Sequence, residues 1–195
     1  TPLHFAGAAA RRLVPEAPAE FEKDDRCLWR FTVDDEAGPI RVEKTVELVE
    51  RRNAVRVSYA VHADQPVRLV MRPLVALRDY HALRREDRAA PRFFTRVLDP
   101  SRAHPGVLCA TRSVGVHLLG ESAAWHDHPE HWRNLEYAWE QRRGLDTTEH
   151  LFSPGSFVAD RAPGDHTPAA LFASIAAPDP PDPGAARAQR RARPA

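Results

Sequence analysis

Lysine is almost missing from this chain of 195 residues: Lys23 and Lys44 are the only two, and arginine supplies the other basic side chains. Acids balance these bases to a formal net charge of +1, which argues against a general electrostatic grip on nucleic acid or on an anionic membrane. No apolar run approaches the roughly 20 residues that span a bilayer. The N-terminus also lacks the basic, apolar and cleavage-site pattern of a signal peptide. We therefore expect no nucleic-acid partner and no membrane partner.

Cysteine is scarce as well, since Cys27 and Cys109 are the only two. They could form one pair but not a disulfide framework, so a reducing, cytoplasmic location is expected. The sequence also lacks a nucleophile elbow, a phosphate-binding P-loop and a dinucleotide-binding fingerprint. We therefore expect no cofactor. The length suits one sizeable domain, and an all-β unit of this size is common.

Apolar residues recur at every second position in several segments, and charged or proline-containing turns separate them. Val55, Val57, Tyr59 and Val61 alternate in this way with polar or small residues. Short connections between such segments predict an all-β fold, an antiparallel β-sandwich with few short helices. A short helix is predicted at residues 135–143. Strands are predicted at residues 26–33, 40–49, 55–61, 67–77, 92–97, 114–119, 156–159 and 170–175.

Three segments follow from this pattern. Residues 1–25 are expected to be an irregular N-terminal segment, and residues 26–176 to form the β-sandwich domain. Residues 177–195 are rich in Pro, Ala and Arg and have no large apolar side chain. Such a composition cannot bury enough surface to offset its ordering entropy, so a disordered tail is predicted there.

A candidate site lies where the apolar segment 67–77 ends in four polar or amphipathic residues, Arg78, Asp79, Tyr80 and His81. A rigid strand that ends in a loop is a common way to aim functional side chains. The alternative is a solvated turn that contains an Arg78–Asp79 pair.

A second candidate site is the segment 132–155, in which large aromatic residues alternate with polar ones. Its substrate-binding candidates are Trp132, Arg133, Asn134, Glu136 and Tyr137. Aromatic rings with polar neighbours can hold a sugar ring and bind its hydroxyl groups. The same composition also fits a core segment whose Trp N–H and Tyr O–H groups are satisfied internally.

The same segment contains four acids, Glu136, Glu140, Asp146 and Glu149. Glycosidases need two carboxyl groups about 5 to 10 Å apart, one of them kept protonated by its surroundings. Nothing in the spacing selects two of these four acids. We therefore interpret them as solvated carboxylates, and no catalytic residue is predicted.

An alternative function rests on His126 and His128, an H-x-H pair that could bind a metal ion as in cupins. In the cupin pattern the expected Glu would fall at Trp132 or Arg133, and Pro129 interrupts the strand that should hold the ligands. We expect no metal site here, and a cupin-like metal-dependent enzyme remains the alternative.

An ordered series of short motifs resembles the N-terminal domain of bacterial and archaeal glycogen debranching enzymes, the amylo-α-1,6-glucosidase family. Order and spacing agree over roughly residues 26–176, although the opening strand of the family is not recognisable in residues 1–14. The motifs are Glu43 and Lys44, residues 51–59, 72–74 and 78–81, Arg133 and Asn134, Glu136 and Tyr137, and residues 143–146 and 151–155.

The resemblance implies a large, supersandwich-like β-sandwich that precedes an (α/α)6 toroid with the catalytic acid and base. Such a toroid needs several hundred further residues. The chain is therefore expected to be non-catalytic, and its partners to be α-glucan (glycogen or limit dextrin) and a C-terminal catalytic (α/α)6 domain. The resemblance assigns residues 78–81 and the five candidates from Trp132 to Tyr137 to the glucan cleft. Docking onto the toroid, or a purely structural role, is the competing interpretation.

Overall fold

The computed structural model describes residues 4–5, 20–79, 82–85, 92–98 and 104–176. These residues contain twelve strands and one short helix. In chain order they are β1 (His4–Phe5), β2 (Glu20–Lys23), β3 (Cys27–Val33), β4 (Ile40–Leu48), β5 (Ala54–His62), β6 (Val67–Met71), β7 (Phe94–Val97), β8 (Gly106–Ala110), β9 (Gly115–Glu121), β10 (Ala124–Glu136), α1 (Ala138–Arg142), β11 (Thr148–Arg161) and β12 (Ala169–Ser174).

The strands form two sheets in which every neighbouring pair is antiparallel. Sheet A has four strands in the order β1-β10-β11-β6. Sheet B has eight strands in the order β2-β3-β4-β5-β12-β9-β8-β7. The predicted all-β class and antiparallel β-sandwich are confirmed, with one short helix among the described residues.

The main core lies between the two sheets. Phe152 and Phe157 of β11 pack there with Cys109 of β8 and Leu118 of β9. Phe157 is fully buried, and a Cβ atom at Gly120 of β9 would collide with its ring. A glycine is therefore needed where β9 passes the largest side chain of the core.

Two of the predicted strands have the wrong bounds, and both lie in sheet A. The segment 67–77, predicted as one strand, is strand only as far as Met71, and Val75 then rejoins β11 through a single bridge to Phe152. The segment 156–159 is only part of a strand of 14 residues. Ser153, Pro154 and Gly155, a combination typical of a turn, lie inside this strand. Gly155 can remain there because it adopts φ +150°, which other residues rarely adopt.

The predicted helix 135–143 is confirmed at Ala138–Arg142, but its start is wrong. Residues up to Glu136 belong to β10, because Leu135 is fully buried opposite Glu149 of β11. Only five residues, those of α1, are helical. The amide of Gly144 donates to the carbonyl of Gln141 at 3.0 Å, and Gly144 adopts φ +71°, so the helix ends there.

The terminal segments complete the comparison with the sequence. Strands β1 and β2 fall within residues 1–25, where irregular structure was expected, and β2 forms one edge of sheet B. The predicted tail, residues 177–195, lies outside the described residues. In the described part of the chain, no helix has the length and apolar character needed to cross a bilayer.

Candidate functional site

The connection that follows β6 continues along the edge of β11 and is fixed there by its backbone. Val75 and Phe152 exchange two hydrogen bonds, of 2.8 and 3.0 Å. Further along, the carbonyl of Arg84 accepts a hydrogen bond of 2.8 Å from the amide of His150. The predicted loop residues Arg78 and Asp79 are therefore held beside the first half of β11.

Glu149 of β11 is the centre of this junction. Glu149 is fully buried, and its carboxylate accepts four hydrogen bonds. Arg78 donates two of them, from Nε at 2.5 Å and from Nη2 at 3.0 Å. The hydroxyl of Tyr137 donates at 2.5 Å, and the backbone amide of Arg84 donates at 3.0 Å. One carboxylate thus joins the loop, β11 and the residue that follows β10.

The surroundings of Glu149 keep it ionised. Burial alone would raise the pKa of this carboxyl group, but the hydrogen bonds from Arg78, Tyr137 and the Arg84 amide outweigh burial and lower the pKa below its ordinary value. Burial, together with the hydrogen bond to Glu149, raises the pKa of Tyr137 to about 12. The expectation of solvated acids is therefore wrong for Glu149. It is equally unsuited to be a general acid, because it holds no proton to donate at neutral pH.

The lowered pKa of Glu149 gives the stability of the protein a specific pH dependence. A folded-state pKa below the unfolded value adds stability above the unfolded pKa of about 4.3, and this stability is lost as the pH falls through the folded pKa. We expect the free energy of unfolding to fall as the pH drops below about 5, and to fall less steeply in Glu149→Gln. Urea unfolding across this range measures both slopes. Asp146→Asn, which removes an exposed carboxylate beside Arg85, is the control variant. Equal slopes in wild type and Glu149→Gln would contradict the assignment.

Trp132 of β10 lies in a second cluster. Its indole N–H donates to Oε2 of Glu130 at 3.1 Å, and Nη1 of Arg72 donates to the same oxygen at 2.7 Å. The guanidinium carbon of Arg72 lies 5.6 Å from the centre of the indole ring. Trp132 is half-buried and does not belong to the main core cluster, and these contacts help to hold its ring.

The β10 backbone is irregular just after Trp132. The register with β11 shifts between Trp132 and Leu135, and Asn134 adopts the left-handed φ of +57°. The amide of Asn134 donates to Nδ1 of His150 at 3.0 Å. As a result Arg133 and Asn134, both predicted site residues, are exposed to solvent.

The remaining predicted site residues divide between the two clusters. Arg78 and Tyr137, which the sequence placed in separate candidate sites, meet at Glu149. Asp79 is exposed, and its carbonyl accepts a hydrogen bond of 3.0 Å from Arg78. Glu136 is half-buried at the end of β10. Tyr80 and His81 lie outside the described residues.

The connection between β10 and β11 exposes apolar side chains that the sequence did not single out as site residues. Trp139 of α1 is 55% exposed, and Leu145 is 52% exposed. The guanidinium carbon of Arg142 lies 4.8 Å from the centre of the Trp139 ring. The alternation of aromatic and polar residues extends to Trp139, so this pattern was the signal that could have identified it. Arg72, Glu130 and Glu149 were not predicted as site residues, because the contacts Arg72–Glu130 and Arg78–Glu149 join residues distant in sequence.

The residues of the metal-site alternative do not converge. His126 and His128 are exposed on β10, and Pro129 lies where the register with β11 shifts. The carboxylate of Glu130 instead accepts hydrogen bonds from Arg72 and Trp132. Over the described ranges, no group of three or more His, Cys, Asp or Glu side chains could hold a metal ion.

Comparison with known proteins gave one match. A family model described as glycogen debranching enzyme N terminal matches residues 18–167, well over half of the chain. The matched range includes every predicted site residue together with Glu149. No curated protein and no solved structure matches the chain.

Proposed function

Because the chain belongs to the glycogen debranching enzyme N-terminal family, we propose that it is a non-catalytic β-sandwich domain that shapes glucan binding for a catalytic (α/α)6 domain. The reaction proposed for that partner is hydrolysis of the α-1,6-linked glucose at a trimmed branch point. A cytoplasmic location, where glycogen and limit dextrin would be the substrates, is part of the proposal. The free thiols of Cys27 and Cys109 are consistent with a reducing compartment.

The observation that supports a non-catalytic role most strongly is the state of Glu149. It is the fully buried acid in the aromatic segment, and all its hydrogen bonds favour the ionised form. Asp146 is 74% exposed at its side chain and pairs with Arg85 at 2.7 Å. A glycosidase acid must stay protonated at neutral pH, and the lowered pKa of Glu149 is the opposite of that requirement. Release of glucose from limit dextrin by this chain would contradict this part of the proposal.

The glucan-binding role is supported by the surface around Trp132. The half-buried indole is followed on β10 by the exposed side chains of Arg133 and Asn134. An aromatic face beside planar polar groups is the combination that sugars need, since the ring covers apolar C–H groups and the polar groups bind hydroxyls. In this proposal, Arg78 does not bind sugar directly but holds the neighbouring Asp79 in place through its hydrogen bond to the Asp79 carbonyl.

Replacing Trp132 by alanine is expected to weaken maltoheptaose binding about tenfold, because the stacking face is removed. Isothermal titration calorimetry with the purified chain measures the affinity. Trp132→Phe is the matched control and should keep most of the affinity, because it retains a flat ring. If Trp132→Ala binds maltoheptaose as wild type does, Trp132 is not a sugar contact.

A second candidate role is docking onto the catalytic domain, and the exposed Trp139 and Leu145 favour it. Exposed aromatic and aliphatic side chains close together often mark a protein interface. In a full-length enzyme, Trp139→Ala would then loosen the association of the two domains and leave maltoheptaose affinity unchanged. Limited proteolysis between the domains, compared with calorimetry, distinguishes docking from sugar binding.

A further inference from the structure

One face of strands β2, β3 and β4 forms a surface that we call the wing. Phe21 of β2, Trp29 of β3, Lys44 of β4 and Tyr59 of β5 lie opposite one another in register, so they share one face of sheet B. Tyr59 packs against the main core between the sheets. The wing is therefore the continuation of the core-facing side of sheet B toward its β2 edge.

The wing is apolar, yet it is only partly covered. Phe21 is 52% exposed, Val33 is 43% exposed and Leu48 is 78% exposed, and all three point to this face. Among the described residues, none from β2, β3 or β4 belongs to the main core cluster, and Tyr59 of the neighbouring β5 packs against it. A group of exposed apolar side chains on one sheet face is typical of a surface that binds a partner.

The charge of the wing is of one sign. The charged side chains that β2 to β5 place on this face are Lys23 and Lys44, the only two lysines of the chain. The acids of the same strands point to the opposite face, where Arg30 binds Glu20, Glu22 and Glu43 and where Arg56 binds Glu47. This segregation follows from the period of two along each strand.

Lys44 occupies the middle of the wing in a partly desolvated position. Its Nζ atom lies 5.5 Å from the ring centre of Trp29 and 5.9 Å from that of Tyr59. Burial lowers the pKa of this ammonium group below its ordinary value. Within the described ranges, Lys44 makes these ring contacts but no salt bridge. An incoming carboxylate would therefore find a cation that has already lost part of its water.

We propose that the wing binds a protein segment that presents a carboxylate within an apolar surface, with the carboxylate on Lys44. The apolar part of the segment would cover Phe21, Trp29 and Leu48, which now contact solvent. A second copy of this chain fits less well, because a two-fold contact would bring the lysines of both copies into one interface. A neutral glucan fits less well too, because it offers no charge to the ammonium group.

The experiment uses two synthetic peptides of about twelve residues, one with a central Glu flanked by Leu and Phe and one with Gln in place of that Glu. NMR titration follows the indole N–H signal of Trp29, which reports on the wing and not on Trp132. We expect the Glu peptide to bind about tenfold more tightly than the Gln peptide. Lys44→Met, which keeps the alkyl chain, should abolish the difference, and Lys44→Arg should retain it.

Several results would overturn the proposal. They are equal affinities for the two peptides, no shift of the Trp29 signal, or a preference for the Glu peptide that survives in Lys44→Met. A Trp29-dependent dimer detected by ultracentrifugation would assign the wing to a second copy instead. A Trp29 shift caused by maltoheptaose would assign it to glucan. The wild-type comparison of the two peptides remains decisive even if a Lys44 variant fails to fold.

Discussion

Glu149→Met is expected to lower the free energy of unfolding by about 3 to 5 kcal/mol, one of the largest effects of any single substitution in this chain. The substitution keeps a long side chain but leaves the guanidinium of Arg78 without its carboxylate. The hydroxyl of Tyr137 and the amide of Arg84 lose their acceptor in the same step. Urea unfolding at pH 7, followed by circular dichroism, measures the loss.

The double variant Arg78→Met with Glu149→Met separates the lost pairing from the lost packing. Removing both charges leaves no unpaired ion, so the double variant should be more stable than Glu149→Met alone. A loss below about 1 kcal/mol in Glu149→Met would mean that the carboxylate is far less enclosed than the geometry indicates.

The sheet-B strands β4 and β5 were predictable because their two faces differ in composition. Val42 and Val61 are paired on the core-facing side, while Arg41 and His62 are paired on the other. A strand whose two faces meet different environments alternates apolar and polar residues, so the sequence pattern indicates the strand directly.

The central strand of sheet A was missed for the opposite reason. From Leu151 to Phe157, every residue of β11 is buried, so neither face requires polar residues and no alternation develops. The proline and glycine near its middle are residues more typical of a turn than of a strand. The local sequence cannot indicate that β10 and β6 pair on either side of this stretch.

The candidate site was predictable in composition but not in its connections. The sequence indicated Arg78 and Tyr137 as polar residues of two separate segments. It could not indicate their meeting point, because Arg78 and Glu149 are 71 residues apart. In a sequence, a glutamate whose carboxylate is buried and fully hydrogen-bonded cannot be told from a solvated glutamate. Only the fold distinguishes the two.

The second large effect is expected for Gly155→Ala, a substitution in the part of β11 that the sequence did not predict as strand. Gly155 has φ +150°, and a Cβ atom there would collide with the carbonyl oxygen of His126 and lie 2.6 Å from the ring of Trp125. Strain at this φ and displacement of β10 together should cost about 3 to 5 kcal/mol. For a domain of this size, the melting temperature should fall by on the order of 10 °C, measurable by differential scanning calorimetry.

Gly164→Ala is the matched control for this effect. Gly164 also has a positive φ, +74°, but nothing lies within 4 Å of the added Cβ atom. Its cost should be about 1 kcal/mol, the left-handed penalty alone. The difference between the two variants therefore isolates the close approach of β10 to β11 at Trp125 and His126. Equal losses of stability in the two variants would mean that β10 can move away from residue 155 at little cost in free energy. The pairing of Asp127 with Gly155 would then add little to the stability of sheet A.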